Sequence, residues 1–251
     1  MILAASTEAA ATEAALSIGP VYWAWFIGAV LIFLALDLGV FHRKPHAVGF
    51  GEALMWTSIW FSMSMAFAFW IAPAMVGEQW TGDHTKLFIT GYVVELSLSM
   101  DNVFVIALIF SFFRVPAEFQ HRVLFWGILG ALIMRAAMIL LGASLIHQFH
   151  WILYLFGAFL LITGIKMLFA GDEEVEPEKN FAIRLARKFY PVSTQFDGQK
   201  FFTELDGRRA LTPLALCLIM VETTDLIFAV DSIPAIFGIT TEAFIVFTSN
   251  V

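Results

Sequence analysis

The chain has little charge, one cysteine and few prolines, and each shortage excludes a class of protein. Charged residues make up 14% of its 251 residues, against about 25% in an average soluble domain. So little polar surface argues against an ordinary water-soluble enzyme, because a soluble globule could not be covered. The single cysteine, Cys217, excludes a scaffold of intrachain disulfides. Eight prolines and 17 glycines are too few for a collagen-like repeat.

Apolar residues are abundant instead: they form 60% of the chain and include 27 Phe and 8 Trp. Stretches of about 20 mainly apolar residues are typical of membrane-spanning helices. Since lipid offers no partners to backbone polar groups, helices are expected rather than strands. We therefore predict an all-α, polytopic membrane helix bundle. Its six complete spans are expected at 21–41, 53–76, 87–113, 122–146, 149–170 and 211–238.

The composition of the two ends of the sequence predicts what each terminus forms. Residues 1–20 contain no Lys or Arg and are rich in Ala, Thr and Glu. This composition predicts a mobile N-terminal tail and no cleavable signal peptide. At the other end, an apolar stretch over 242–251 stops without a terminal loop. We expect it to be the start of a truncated seventh span.

Lys and Arg are distributed unevenly among the predicted loops. Eleven of the 14 lie in 41–52, 113–122 and 171–210, whereas the loops of the opposite side have only Lys86. Because cytoplasmic loops carry the excess of bases, these three loops are predicted to be cytoplasmic and the N-terminus to be outside. We expect the protein in a bacterial inner membrane.

The 171–210 segment is the one large polar insertion, a cytoplasmic loop between spans. It opens with an acidic run at 172–176, which is most simply a solvated stretch. Beyond it, Phe181, Leu185 and Phe189 share one helical face with bases on the other, which suits an amphipathic helix at the membrane interface. A solvated linker with a single helical turn fits the pattern equally well. The insertion is also a candidate docking site for a protein partner.

Six acids fall inside the predicted spans. They are Asp37, Glu95, Asp101, Glu222, Asp225 and Asp231. Only Arg135 and Lys166 lie in the spans to oppose them, and Lys166 is near a helix end. Each charge at the bilayer centre costs about 2.5–3.5 kcal/mol even on insertion scales. The cluster therefore requires bound cations, protonation or a water-filled cavity.

Two of the acidic segments match each other. Residues 95–102 and 225–232 both read acid, Leu, four residues, acid, and then a small amide or hydroxyl residue. They fall in the third and sixth spans, so the second copy runs in the opposite direction. This predicts an inverted repeat, 21–113 against 122–170 with 211–238, and a site near the midplane. Acids six residues apart point about 120° from each other on a straight helix, so a local break is expected in both helices.

The side chains of these segments offer carboxylate, amide and hydroxyl oxygens, which favour Mn²⁺, Mg²⁺ or Ca²⁺ over softer metals. Met100 or Met220 nearby would favour Mn²⁺ among these, although either methionine is more simply explained by core packing. The candidate metal ligands are Glu95, Asp101, Asn102, Glu222, Asp225, Asp231 and Ser232, with Asp37 and Asn250 as accessory candidates.

Other roles stay open for the same residues. The acids could carry protons only, or form structural pairs with Arg135. Asn102, Ser232 and Asn250 could serve helix–helix hydrogen bonding. Arg135 is either a structural counter-ion or a gating element that replaces the metal in an empty site.

The two acidic segments also resemble segments of a known protein family. Residues 94–104 and 221–235 are similar to the two signature segments of the TerC family of integral membrane proteins, named for tellurium resistance. Three shorter segments match as well, at 36–43, 46–53 and 248–251. The resemblance covers residues 21–251 and implies a position near the LysE transporter superfamily, a role in manganese export, and a metal site shared by the two acidic segments. Family members usually continue beyond the last of these segments, which agrees with truncation.

These observations predict a secondary transporter that exports Mn²⁺ from the cytoplasm through an acidic midplane site. Proton antiport is the expected coupling, because metal ligands must lose protons to bind metal. The alternative is a membrane scaffold or a tellurium-resistance complex component with a structural metal site. The sequence has no serine–histidine–acid set, Walker loop, CxxC motif or basic stripe, so we expect neither an enzyme nor a nucleic-acid-binding protein.

Overall fold

The computed structural model describes residues 18–36, 50–169, 180–205 and 207–251. Several predictions lie outside the described residues. They concern most of the N-terminal tail, the accessory candidate Asp37, most of the basic 41–52 loop and the acidic run at 172–176.

Helices dominate the described chain. They are α1 (Pro20–Leu36), α2 (Phe50–Ala66), α3 (Gly82–Phe112), α4 (Ala117–Gln148), α5 (Ile152–Phe169), α6 (Phe181–Phe189), α7 (Pro213–Phe237) and α8 (Ala243–Asn250). The chain continues from α2 through a π-helical turn, Phe67–Ile71, a short α-helix, Ala72–Val76, and a 3₁₀ turn, Gly77–Gln79.

Four helical segments of the described chain are long and apolar enough to cross a membrane: α2 with its continuation, α3, α4 and α7. Helices α1 and α5, at the predicted first and fifth spans, are apolar but shorter. The prediction of a helical membrane protein is thereby confirmed.

Helices α3 and α4 are longer than the predicted spans of 87–113 and 122–146. Helix α3 begins earlier because Thr81 and His84 form a capping box, in which the Thr81 backbone N–H donates to His84 Nδ1 over 3.0 Å. Helix α4 begins directly after Pro116, whose ring fixes a φ compatible with a helix start. The predicted 113–122 turn therefore shrinks to a few residues.

The polar insertion contains the predicted amphipathic helix, α6, and also a β-hairpin that the all-α prediction missed. Strands β1 (Phe202–Leu205) and β2 (Arg208–Leu211) pair antiparallel, with Phe202 opposite Leu211. Gly207 in the turn has a φ of +72°, a conformation that glycine adopts without strain. The Asp206-Gly207 pair is a known hairpin signal, and it was the overlooked cue.

Helix α7 packs against α3, α4 and α5, while α8 lies against α3 and α4. Glycines on α4 allow the close approach of α7, as is common between membrane helices. A Cβ built at Gly142 would lie 2.7 Å from Cε2 of Phe237, and one at Gly130 would overlap the carboxylate of Glu222. These glycine contacts bring α4 and α7 together, and α3 and α8 pack against the same helices.

Candidate functional site

A buried ion cluster lies where α3, α4 and α7 meet. Its centre is Arg135 of α4, whose guanidinium pairs with Glu95 of α3 through Nη1 and with Asp225 of α7 through Nη2. The Nη2–Oδ1 distance to Asp225 is 3.5 Å. Glu95 and Arg135 are buried and Asp225 is largely so. The consecutive helices α3 and α4 and the later helix α7 thus each contribute one charge.

Helix α8 supplies the fourth member of the cluster, Asn250. Nη1 of Arg135 lies 3.4 Å from the backbone oxygen of Asn250 and 3.5 Å from its side-chain Oδ1. The Asn250 amide nitrogen donates to the backbone oxygen of Val246 over 2.7 Å. Because that bond holds the amide group, its oxygen faces the guanidinium.

Each carboxylate of the cluster keeps one oxygen without a partner. Oε2 of Glu95 and Oδ2 of Asp225 are buried and make no hydrogen bond within the described chain. An unsatisfied buried polar atom costs about 1–3 kcal/mol, and more when it is charged. A buried charged oxygen without a protein partner needs a water molecule, an ion or a proton to satisfy it.

The cluster lines a cavity of about 670 Å³. Aromatic and aliphatic residues of α1 and α2 form much of the wall, including Phe26, Phe33 and Trp60. Most of the polar residues of the lining belong to α3, α4, α7 and α8, and Ser64 belongs to α2. The polar residues are Ser64, Glu95, Ser99, Arg135, Asp225, Thr248, Ser249 and Asn250. In such apolar surroundings, electrostatic interactions are much stronger than in water.

The structure separates the other candidate ligands from this cluster. Helices α3 and α7 run unbroken through both acidic segments, so the expected local breaks are not present in the described residues. The predicted divergence of acids six residues apart therefore remains: Asp101 is exposed, Asp231 is half-buried, and neither lines the cavity.

The remaining candidates have other surroundings. Glu222 lies one turn before Asp225, half-buried beside Gly130. Asn102 and Ser232 are buried, and the Ser232 hydroxyl has no hydrogen-bond partner in the described structure.

Among the described residues, no three His, Cys, Asp or Glu side chains come close enough together to hold a metal ion. Of the predicted metal ligands, the structure brings together two acids, Glu95 and Asp225, and the accessory candidate Asn250, all around Arg135. Sequence reasoning missed Ser99, Thr248 and Ser249 as lining residues. Ser99 falls inside the first acidic segment and the other two precede Asn250, so their positions were the available signal.

A bundle of apolar helices that encloses ionisable side chains is typical of an integral membrane protein. Comparison with known families matches residues 80–251 to the one described as "Integral membrane protein TerC family". The chain belongs to this family, as the resemblance of its two acidic segments predicted. The shorter segments at 36–43 and 46–53 lie before the matched region.

Relatives in three bacteria span nearly the whole chain. A Myxococcus xanthus protein named "Uncharacterized membrane protein STKORF319" is 51% identical over 234 residues, covering 92% of this chain and 71% of the relative. An Escherichia coli K12 protein named "Putative membrane-bound redox modulator Alx" is 45% identical over 235 residues, covering 92% and 73%. An uncharacterized membrane protein of Rickettsia bellii is 38% identical over 229 residues, covering 91% and 74%. No solved structure matches the chain.

Proposed function

We propose that the protein is a secondary transporter, not an enzyme, that exports a divalent cation from the cytoplasm, with Mn²⁺ as the cargo. The observation that carries the proposal is the pair of orphaned carboxylate oxygens, Oε2 of Glu95 and Oδ2 of Asp225, in one cavity. With Oδ1 of Asn250 they form an all-oxygen set. Carboxylate and amide oxygens suit Mn²⁺, Mg²⁺ and Ca²⁺.

The charge balance indicates that Arg135 competes with the metal ion for the carboxylates of Glu95 and Asp225. Two carboxylates and one guanidinium leave the cluster with one negative charge. Replacing the guanidinium with Mn²⁺ makes the cluster neutral, whereas holding both cations gives it a positive charge. Arg135 therefore withdraws when the metal binds and returns when it leaves, so the buried acids are never without a cation.

In the proposed pathway, Asp101 and Asp231 are two further cation-binding positions, one on either side of this central cluster. Six residues of helix rise about 9 Å, so Asp101 and Asp231 lie that far along α3 and α7 from Glu95 and Asp225. If the N-terminus is outside, as the distribution of bases predicts, α3 runs inward and α7 outward. Asp101, with Asn102, then faces the cytoplasmic side, and Asp231, with Ser232, the outer side. This antiparallel relation is what the proposed inverted repeat requires.

The direct test measures Mn²⁺ flux in vesicles that contain the purified protein. Glu95→Gln and Asp225→Asn keep the shape of each side chain but remove a charged ligand, and each is expected to lower flux more than about tenfold. Asp101→Asn and Asp231→Asn are expected to abolish transport without preventing insertion.

Glu204→Gln is the matched control, because Glu204 is exposed on the β-hairpin, away from the bundle interior. Its flux should equal that of the unmodified protein. Normal flux in both Glu95→Gln and Asp225→Asn would overturn the cavity site. Normal flux in both outer variants, with loss in the inner ones, would exclude the two further cation-binding positions only.

Proton coupling is a separate prediction. Moving two positive charges outward against 100 mV, inside negative, costs about 4.6 kcal/mol, so export must be coupled to a favourable process. Carboxylates that exchange Mn²⁺ for protons provide that coupling. We expect Mn²⁺ accumulation in vesicles to follow an imposed pH gradient and to stop when an ionophore collapses it. Accumulation that is indifferent to the gradient would exclude proton antiport while leaving transport itself in place.

A further inference from the structure

Helix α6 is fixed beside the first turns of a membrane-spanning helix. Asn180 caps the N-terminus of α6: Oδ1 of Asn180 accepts hydrogen bonds from the backbone N–H groups of Ala182 and Ile183 at 2.9 and 3.1 Å. Ile183 is fully buried in a core cluster that includes Leu214 at the start of α7. Asn180 Nδ2 lies 3.2 Å from the sulfur of Met220, about 10 Å along α7 from its first residue. Helix α6 therefore lies alongside the first two turns of α7 and packs against the bundle.

The side of α6 turned away from α7 carries an apolar stripe, formed by Phe181, Leu185 and Phe189, that no part of the described chain covers. These side chains are 75%, 44% and 70% exposed. A spacing of four residues advances about 40° around a helix, so the three side chains lie within about 80° of each other. The buried Ile183 is on the opposite side, about 160° from Leu185.

The third side of α6 is basic. Arg184, Arg187 and Lys188 occupy the sector that neither the apolar stripe nor Ile183 covers, and all three are exposed. The helix therefore has three sides: one buried against the bundle, one apolar and open, and one cationic. An apolar stripe flanked by Lys and Arg is typical of helices that lie in the plane of a membrane surface.

We propose that α6 is a membrane-surface anchor: its apolar stripe enters the headgroup–acyl boundary, and its three bases contact anionic lipid headgroups. The bilayer is the occupant because α6 is attached to a spanning helix and is therefore adjacent to lipid. On the cytoplasmic side, where the distribution of Lys and Arg predicts this segment, the bases match the negative surface of the leaflet. The anchor also positions the β-hairpin, since the Tyr190 ring, just after α6, packs on Phe202 with centroids 6.1 Å apart. This inference does not depend on cation transport.

The test uses the whole chain in vesicles of phosphatidylcholine and phosphatidylglycerol in equal parts. In a Cys217→Ala background, an environment-sensitive fluorophore is attached at Leu185→Cys. The matched control is Arg187→Cys, two residues further on the same helix and exposed on the basic side. Brominated lipids should quench the label at 185 at least about twofold more strongly than the label at 187. Aqueous iodide should show the reverse order.

A label at 185 that iodide reaches freely and brominated lipid does not would overturn the anchor, and it is the result expected of a protein-docking face without its partner. Phe189→Cys provides a second position on the stripe and should behave like Leu185→Cys. Neutralising the bases with Arg184→Gln, Arg187→Gln and Lys188→Gln together should lower quenching at 185 to the value found in pure phosphatidylcholine. Unchanged quenching in that variant would overturn the role of anionic headgroups.

Discussion

Arg135→Gln is expected to destabilise the protein by about 3–5 kcal/mol, because removing one partner of a buried ion pair leaves uncompensated charge behind. Here the loss affects two carboxylates at once, since Arg135 pairs with both Glu95 and Asp225. The measurement is the free energy of unfolding in mixed detergent micelles, followed by circular dichroism. The cost should be smaller in the double variant Glu95→Gln/Arg135→Gln, which removes an acid together with the base.

The same variant tests whether a metal ion can take the place of the guanidinium. If Mn²⁺ binds Glu95 and Asp225 as proposed, millimolar Mn²⁺ should raise the unfolding free energy of Arg135→Gln more than that of the unmodified protein. A bound ligand stabilises by about 2.7 kcal/mol at a concentration 100 times its Kd. Equal, small effects of Mn²⁺ on both proteins would mean that the cluster is a structural ion pair and not a cation site.

Gly142→Leu is expected to separate α4 from α7. Even a Cβ at this position would lie 2.7 Å from the buried ring of Phe237, so the longer leucine side chain must displace that ring or push α7 away. Overpacking a filled interior costs about 1–3 kcal/mol and sometimes more, so we expect a loss of about 3 kcal/mol or more in unfolding free energy. Transport should fall as well, because Arg135 and Asp225 are on the two helices that move apart.

Gly157→Leu is the matched control for this substitution, since no atom lies within 4 Å of a Cβ built at Gly157 on α5. It should leave stability and flux nearly unchanged. The double variant Gly142→Leu/Phe237→Ala should be less destabilised than the sum of its single variants, because removing the ring makes room for the leucine. Additive effects would show that the cost of Gly142→Leu does not come from this contact.

Much of the architecture was predictable from the sequence, because helices that are buried in lipid require long stretches of apolar residues. Apolar stretches predicted the helices, and the spacing of Phe181, Leu185 and Phe189 predicted α6. The hairpin was missed because two strands of four residues leave only a weak signal in the sequence, the Asp206-Gly207 pair. The helix ends at Gly82 and Ala117 depended on local capping by Thr81 and Pro116, which hydrophobicity does not detect.

By itself, the sequence determined that this is a helical membrane protein with more acids than bases in its spans, since composition and residue order are enough to establish both. Which acids share a site was decided only by the tertiary structure. Glu95, Arg135, Asp225 and Asn250 are separated by up to 155 positions, and they meet because glycines on α4 admit α7 and because α8 packs between α3 and α4. Asp101 and Asp231 stay apart for an equally simple reason: an unbroken helix points residues six apart in different directions.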